Sequence, residues 1–370
     1  MHRVLVITEE GRGGGAIGRI RLIAAALKGK AETIVLAPDS APKYISSLQE
    51  KYIKAVAIKM HPLSTNPMFL LKYIIWFLPE LWSITRVIKK VKPDLVHCNS
   101  SWQIKGILAA RMMGVRSVWQ MNDTYQPKPV LFFFRILSHL PTAFIYASTK
   151  TKEYYSRAST RRDHKKEKVI QAPVVRKKTK TERTHQLNKS TTKLMLVGYI
   201  NHHKGIDILI RALAQLEDLS ISCDVVGPVL GTRADYKKGL DELAEEKGVR
   251  LNYLGYQKVD EQLFEGYDFY CCSSRREASP MSVWEALSYG IPIISNPVGD
   301  IAQVVADHQC GIVADDISAT SLAEAIREAI TLDQASYDLL SKACYKASEL
   351  FDHDDIAEQY LSFYSEVISA

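Results

Sequence analysis

Two carboxylates eight positions apart, Glu277 and Glu285, flank a predicted helix start in EASPMSVWEALSYGIPIISNPVG at 277–299. Ser279 has the type of an N-cap and Pro280 that of a first helical residue, and Gly290 and Pro292 end the run, so the pattern predicts a helix of about ten residues. Its first turn leaves the Met281 and Ser282 N–H groups without intrahelical partners, and with the positive end of the peptide dipole they suit an anion. A carboxylate is poorly matched to phosphate but accepts readily from sugar hydroxyls. Glu277, just before the anion position, and Glu285, about a turn and a half beyond it, would each take a sugar. A diphosphate with a sugar on either side is the ligand this spacing describes, which is a nucleotide sugar.

The stretch resembles the signature of the retaining GT-B glycosyltransferases of family four, E-x7-E followed by A-x-x-x-G-x-P, carried here by Glu277, Glu285, Ala286, Gly290 and Pro292. LVGYINHHKGIDILIRAL at 196–213 is similar to that family's strand, G-R-x-x-x-x-K-G loop and helix, with Gly198, Lys204 and Gly205 in register. Ile206, Leu209, Ile210 and Leu213 supply the apolar face of the helix. VLVITEEGRGGGAIGRIRLIAAAL at 4–27 resembles the first strand, glycine loop and first helix, so the resemblance spans nearly the whole chain.

The resemblance implies that Glu285 binds ribose, Lys204 the diphosphate, and Glu277 the transferred sugar near its reacting carbon, with Glu277 and Lys204 as catalytic residues. Gly14 and Gly15 would let the backbone approach the sugar phosphate. Gly198, Tyr199, Pro280, Met281 and Ser282 complete the implied donor set. Tyr199 departs from the family, which has an arginine there; Arg275, Arg276 or Arg12 would have to replace its charge on the leaving group. Gln120, in SVWQMND, stands where the family has a histidine, and with Asn122 it is the expected acceptor-side contact; glutamine bonds a hydroxyl but cannot serve as a base. Ile17 replaces a glutamate common in relatives.

The implied activity is retaining transfer of a sugar to an acceptor hydroxyl in cell-surface polysaccharide or glycolipid synthesis, with no cofactor and no metal. The alternatives are a nucleotide-sugar-binding subunit that has lost catalysis, for which Tyr199 and Gln120 speak, and a nucleotide-sugar epimerase on the same fold. Asp352 and Asp354 superficially resemble a metal-binding D-x-D, but acidic residues at a helix start serve the dipole. His202 and His203 lie beside Lys204 as donor contacts or surface groups, and His97, at a strand end, reads as structural.

At 370 residues the chain is long for one hydrophobic core and comfortable for two. The net charge of +7 conceals an asymmetry: residues 1–190 hold 34 Lys and Arg against 12 Asp and Glu, and the remainder 14 against 29. A basic half attracts anionic membrane or a lipid diphosphate. Six cysteines without paired spacing read as core residues in a reducing compartment. The sequence enters a strand at once, without a signal-peptide pattern, and the expected location is cytoplasmic, at the inner face of the membrane.

VLVIT, ETIVLAP, DLVHCN, SVWQMN and AFIYAS alternate with helical patterns in the first half, as KLMLVG, ISCDVVG, LNYLG, FYCCSS and PIISN do in the second. Such alternation predicts parallel sheets wrapped by helices, and with the resemblance it gives the GT-B class, two Rossmann-like domains facing each other across a cleft. The expected limits are 1–185 for the acceptor-side domain, 186–351 for the nucleotide-sugar domain, and 352–370 for a terminal helix returning to the first. Residues 150–189 hold 14 basic residues in 40 and read as a solvated linker, with no nucleic-acid partner expected. PMFLLKYIIWFLPELW at 67–82 and PVLFFFRILSHLPTAF at 129–144 are too short to span a bilayer and read equally as core or interfacial helices.

Overall fold

The computed structural model describes all residues except 10–13, 64–65, 159–165, 178–181, 188–189 and 231–232. Two compact units form, Met1–Pro173 with His353–Ala370, and Val174–Asp352. The passage between units falls at 173/174 and not at 185/186. Val174 already bridges to Asp352, and Arg176 donates to Ser348 Oγ at 2.7 Å, so these basic residues are tied into the second unit.

The first unit holds a seven-stranded parallel sheet of β1 (His2–Ile7), β2 (Ala31–Pro38), β3 (Lys54–Ile58), β4 (Leu95–Asn99), β5 (Ser117–Met121), β6 (Ala143–Tyr146) and β7 (Lys166–Val169), in the order β3-β2-β1-β4-β5-β6-β7. The central strands are near-continuous apolar runs because helices cover both faces. The segment read as a linker instead contributes β7, whose sequence Lys-Glu-Lys-Val hides a strand. It sits at the sheet edge, where charge is tolerated and discourages further pairing.

The second unit holds β8 (Thr192–Val197), β9 (Ile221–Val226), β10 (Leu251–Gly255), β11 (Phe269–Cys272), β12 (Ile293–Ser295) and β13 (Gly311–Val313), in the order β10-β9-β8-β11-β12-β13. Each sheet therefore reverses direction once, between β1 and β4 and between β8 and β11. Such reversals open a crevice at the carboxyl ends of the strands. All six cysteines are free and buried in these cores.

The last helix, His353–Ser369, packs on the Gly15–Ala26 helix, with Ile356, Tyr360, Phe363 and Tyr364 in one core with Ile17, Ile20 and Ile23. Ile17 thus serves packing. His97 Nδ1 meets Tyr364 Oη at 2.6 Å, and burial, aided by Arg19, holds the imidazole near pKa 3, so it stays neutral and structural. Tyr360 Oη accepts from Arg19 Nε at 3.0 Å and donates to Gln120 Oε1 at 2.8 Å. Tyr360→Phe should cost about 1–3 kcal/mol, because it strands two buried polar groups at once; urea unfolding followed in the first unit measures it.

The Pro67–Val91 helix runs 25 residues, through Pro79 and well past the apolar segment expected to end near 82. Proline forfeits only one backbone bond, and Leu81, Ile84 and Ile88 beyond it continue a buried face. By length and composition it could cross a bilayer, but that second half is committed to the core. Its first half, apart from buried Tyr73, is not: Met68, Leu71, Ile74, Ile75 and Leu78 are exposed, as are Trp82 beyond Pro79 and Phe132, Phe133 and Ile136 of the Lys128–Leu137 helix.

Candidate active site

The implied donor residues of the second unit gather at the β8/β11 reversal. Gly198 follows β8, and a Cβ there would lie 2.4 Å from Lys204 Cε, so glycine lets the lysine fold back over the strand end. Lys204 closes a short 3-10 turn, His202–Lys204, capped by Asn201 Oδ1, which accepts from His203 N at 2.9 Å and Lys204 N at 3.3 Å. Gly205 then adopts φ +61°, and a Cβ would come 2.1 Å from the Ser273 carbonyl. The two loops are in backbone contact there.

Lys204 Nζ donates to Glu277 Oε1 at 2.8 Å, and Ser274 Oγ donates to the same oxygen at 2.8 Å. Among the described residues Glu277 Oε2 makes no hydrogen bond. Burial works against the charged lysine, but the Glu277 carboxylate outweighs it and holds the amine above its ordinary pKa. The two residues assigned separately to phosphate and sugar are thus an ion pair. Asn296 fixes the loop beneath them, donating to the Ser273 and Ser274 carbonyls at 2.8 and 3.2 Å.

The helix occupies Met281–Ser288, one residue later than expected, with Pro280 as N-cap and no side-chain cap. Ser279 accepts from Trp284 Nε1 at 3.0 Å instead of capping. The Pro280 carbonyl receives Val283 N and Trp284 N, so the Met281 and Ser282 N–H groups precede the first intrahelical bonds. The Ser282 hydroxyl donates to Val197 O at 3.2 Å and meets Tyr270 Oη at 2.8 Å; it anchors the helix start to β8 and β11, leaving its N–H for a ligand. Glu285, about one turn on, meets no cation among the described residues, and burial pushes its carboxyl up to about 7.

Tyr199 lies half-buried between Gly198 and Ile200. Arg275, one proposed substitute for the missing arginine, is committed elsewhere: it forks onto Asp207 at 2.7 and 2.5 Å and donates to His202 O at 3.0 Å. Arg276 is exposed and close enough to His203 that, after burial, it is the next cause holding that imidazole below its usual pKa. Arg12 lies outside the described residues.

Gly14, Gly15, Gln120 and Asn122 belong to the first unit. Gly14 is the exposed N-cap of the Gly15–Ala26 helix at φ +147°. Gln120 is 0% exposed, with Nε2 on Asn122 Oδ1 at 2.6 Å and Oε1 on Tyr360 Oη. This corrects the acceptor-side expectation for Gln120, since an amide without exposed surface cannot meet an acceptor. Asn122 is half-buried and donates to Asn99 Oδ1 at 2.8 Å. Sequence reasoning missed Asn201, Ser274 and Asn296. Asn201 had a signal as a cap residue before HHKG, and Ser274 as the serine of a Ser-x-x-Glu spacing; Asn296 had none.

Two family models match the chain in tandem: Glycosyltransferase Family 4 over residues 13–170 and Glycosyl transferases group 1 over residues 177–347. The chain belongs to the GT-B glycosyltransferases of this group. It is 32% identical over 142 residues to the lipopolysaccharide glucosyltransferase WaaG of Escherichia coli, which covers 37% of each chain. It is 22% identical, over 95% of each, to the N,N'-diacetylbacillosaminyl-diphospho-undecaprenol alpha-1,3-N-acetylgalactosaminyltransferase of Campylobacter jejuni. The chain spans 37% to 49% of the first three curated relatives it matches. In structure it is similar to Anabaena HepE, solved with UDP and glucose, at TM-score 0.83 and 20% identity over 99% of this chain and 100% of that one.

Proposed function

We propose that the chain transfers a sugar from a nucleoside diphosphate sugar to an acceptor hydroxyl with retention at the anomeric carbon and without a metal. The observation that carries this reading is the Lys204–Glu277 pair at the strand reversal that also holds the Met281 and Ser282 N–H groups. Lys204 and those N–H groups would stabilise the leaving diphosphate, work a divalent cation does elsewhere. Glu277 Oε2 would accept from a hydroxyl of the transferred hexose, and Glu285 from the ribose. The bond from the anomeric carbon to phosphate breaks on the face where the acceptor oxygen bonds, and a phosphate oxygen takes the acceptor proton. No side-chain base is needed, which makes glutamine at 120 tolerable. The HepE complex supports a uridine diphosphate donor, and the lipopolysaccharide and undecaprenol-linked relatives support a glycan or lipid-carried acceptor.

A thermal-shift and hydrolysis panel of UDP-, GDP- and ADP-sugars tests the reading. Stabilisation by one nucleotide with slow hydrolysis is expected. Stabilisation without turnover under any acceptor would favour the binding subunit, a changed sugar the epimerase, and no stabilisation would sink all three.

The exposed apolar residues of the Pro67–Val91 and Lys128–Leu137 helices favour contact with the inner face of the membrane over burial in a core. Lys72, Arg86, Lys89, Lys90, Lys128 and Arg135 stand exposed on the same helices, ready for anionic headgroups. The protein should float with phosphatidylglycerol vesicles and much less with phosphatidylcholine, and Ile74→Glu with Leu78→Glu should weaken flotation at least about tenfold. Equal recovery of that variant would remove these helices from the interface.

A further inference from the structure

Arg275 stands two residues before Glu277, and its bonds lead back to the turn that carries Lys204. Its N–H donates to the His203 carbonyl at 2.8 Å, and its guanidinium donates to the His202 carbonyl at 3.0 Å. Beyond the lysine, the same guanidinium forks onto Asp207, Nη1 to Oδ1 at 2.7 Å and Nη2 to Oδ2 at 2.5 Å. One residue thus grips the Lys204 turn from both sides.

Asp207 is itself held. It lies in the first turn of the Ile206–Leu213 helix, where a carboxylate suits the dipole, and Tyr236 Oη donates to its Oδ1 at 3.2 Å. Burial works to raise its carboxyl, and the Arg275 fork outweighs that and keeps it below its ordinary range. An open ion pair contributes little, but this one is forked, with each side chain only 25% exposed, and the His202 carbonyl backs it.

A second tie joins the same loops nearer the lysine. Ser273 Oγ donates to the Lys204 carbonyl at 2.9 Å, beside the backbone contact of Gly205 with Ser273. A single tie leaves a hinge, and the Arg275 grip removes it. The ion pair explains why that matters. Lys204 and Glu277 hold each other at 2.8 Å only while neither is drawn to a ligand. Once a diphosphate takes the amine and a sugar hydroxyl the carboxylate, that bond weakens, and the separation of the two groups rests on the backbone of their loops.

We propose that Arg275 and Asp207 are positioning residues, a clamp that keeps Lys204 and Glu277 at working separation while a nucleoside diphosphate sugar engages both. This rests on the transferase reading above. In this role the guanidinium is engaged by Asp207 and makes no bond to the diphosphate. A displacement of about 1 Å in such a constellation costs about a hundredfold in rate.

Hydrolysis of UDP-, GDP- and ADP-glucose by the full chain, with calorimetric titration of the three nucleotides, tests the clamp. Arg275→Ala and Asp207→Ala should each lower kcat about ten- to a hundredfold with KM held within about threefold, and the double variant should lose no more than the worse single one. Guanidinium at a concentration far below denaturing should restore Arg275→Ala at least about fivefold and leave the double variant unrestored, because Asp207 seats it. A link that merely stabilises the fold would lower the urea midpoint without this split or this rescue. Turnover within about twofold of the parent in either variant, or losses that multiply, overturns the clamp. Tighter nucleotide binding by Asp207→Ala overturns it too, since the freed Arg275 would then be a ligand of the diphosphate. A parent that binds none of the three nucleotides and hydrolyses none of their sugars refutes the donor reading, and the clamp falls with it. Should an alanine variant fail to fold, Arg275→Lys decides: it keeps the charge but cannot fork, and should still lose at least about fivefold in kcat.

Discussion

Lys204→Ala should reduce sugar transfer about a hundred- to a thousandfold, the usual effect of deleting one donor to developing negative charge in a site. Two changes act together. The diphosphate loses its cation, and Glu277, left with Ser274 alone, turns from a neutralised partner into an unscreened negative charge beside the nucleotide. The double variant Lys204→Ala with Glu277→Gln should therefore bind UDP more tightly than Lys204→Ala alone, yet remain inactive. Such non-additivity is the mark of a coupled pair. Calorimetric UDP titrations and transfer rates supply both readouts, and transfer within tenfold of the parent would reduce Lys204 to a structural counterion. Glu277→Ala by itself should act on turnover while nucleotide binding persists.

Glu285 sets a pH dependence whose sign can be worked out. Burial lifts its carboxyl from an ordinary 4.5 to about 7, and no cation stands beside it among the described residues. Between those values the folded protein keeps a proton that the unfolded chain has lost, so stability falls as pH rises through that window, by at most about 3 kcal/mol. Binding runs the other way, because ribose hydroxyls donate best to the ionised form. Uridine, which carries no phosphate to titrate, should bind about tenfold more tightly at pH 8 than at pH 6. Glu285→Gln should bind uridine weakly, without that pH dependence, and should flatten the loss of stability. A pH profile unchanged by the substitution would place the ribose elsewhere.

The parallel sheets were legible because their central strands are uninterrupted apolar runs between turn residues; β3, β7 and β13 were not, all three being edge strands, β7 charged and β13 only three residues long. Glu277, Glu285 and the open N–H groups at the helix start followed from residue type and spacing within one short segment, and Lys204 from the family resemblance of its loop. What the spacing withheld was the pairing across 73 positions that joins Lys204 to Glu277, and the Asn296 brace that arrives from the next strand. Gln120 misled for a related reason. A polar residue at a strand end looks available for a ligand until a distant tyrosine, Tyr360, claims it.

Tyr360, Phe363 and Tyr364 fill the interior of the first unit from the far side of the inserted Val174–Asp352 segment. The Met1–Pro173 segment is synthesised with that interior open and stays incomplete while Val174–Asp352, which holds every strand of its own sheet, is made. The order of synthesis and the order of completion are thus reversed, and removing His353–Ala370 should unfold the half made first.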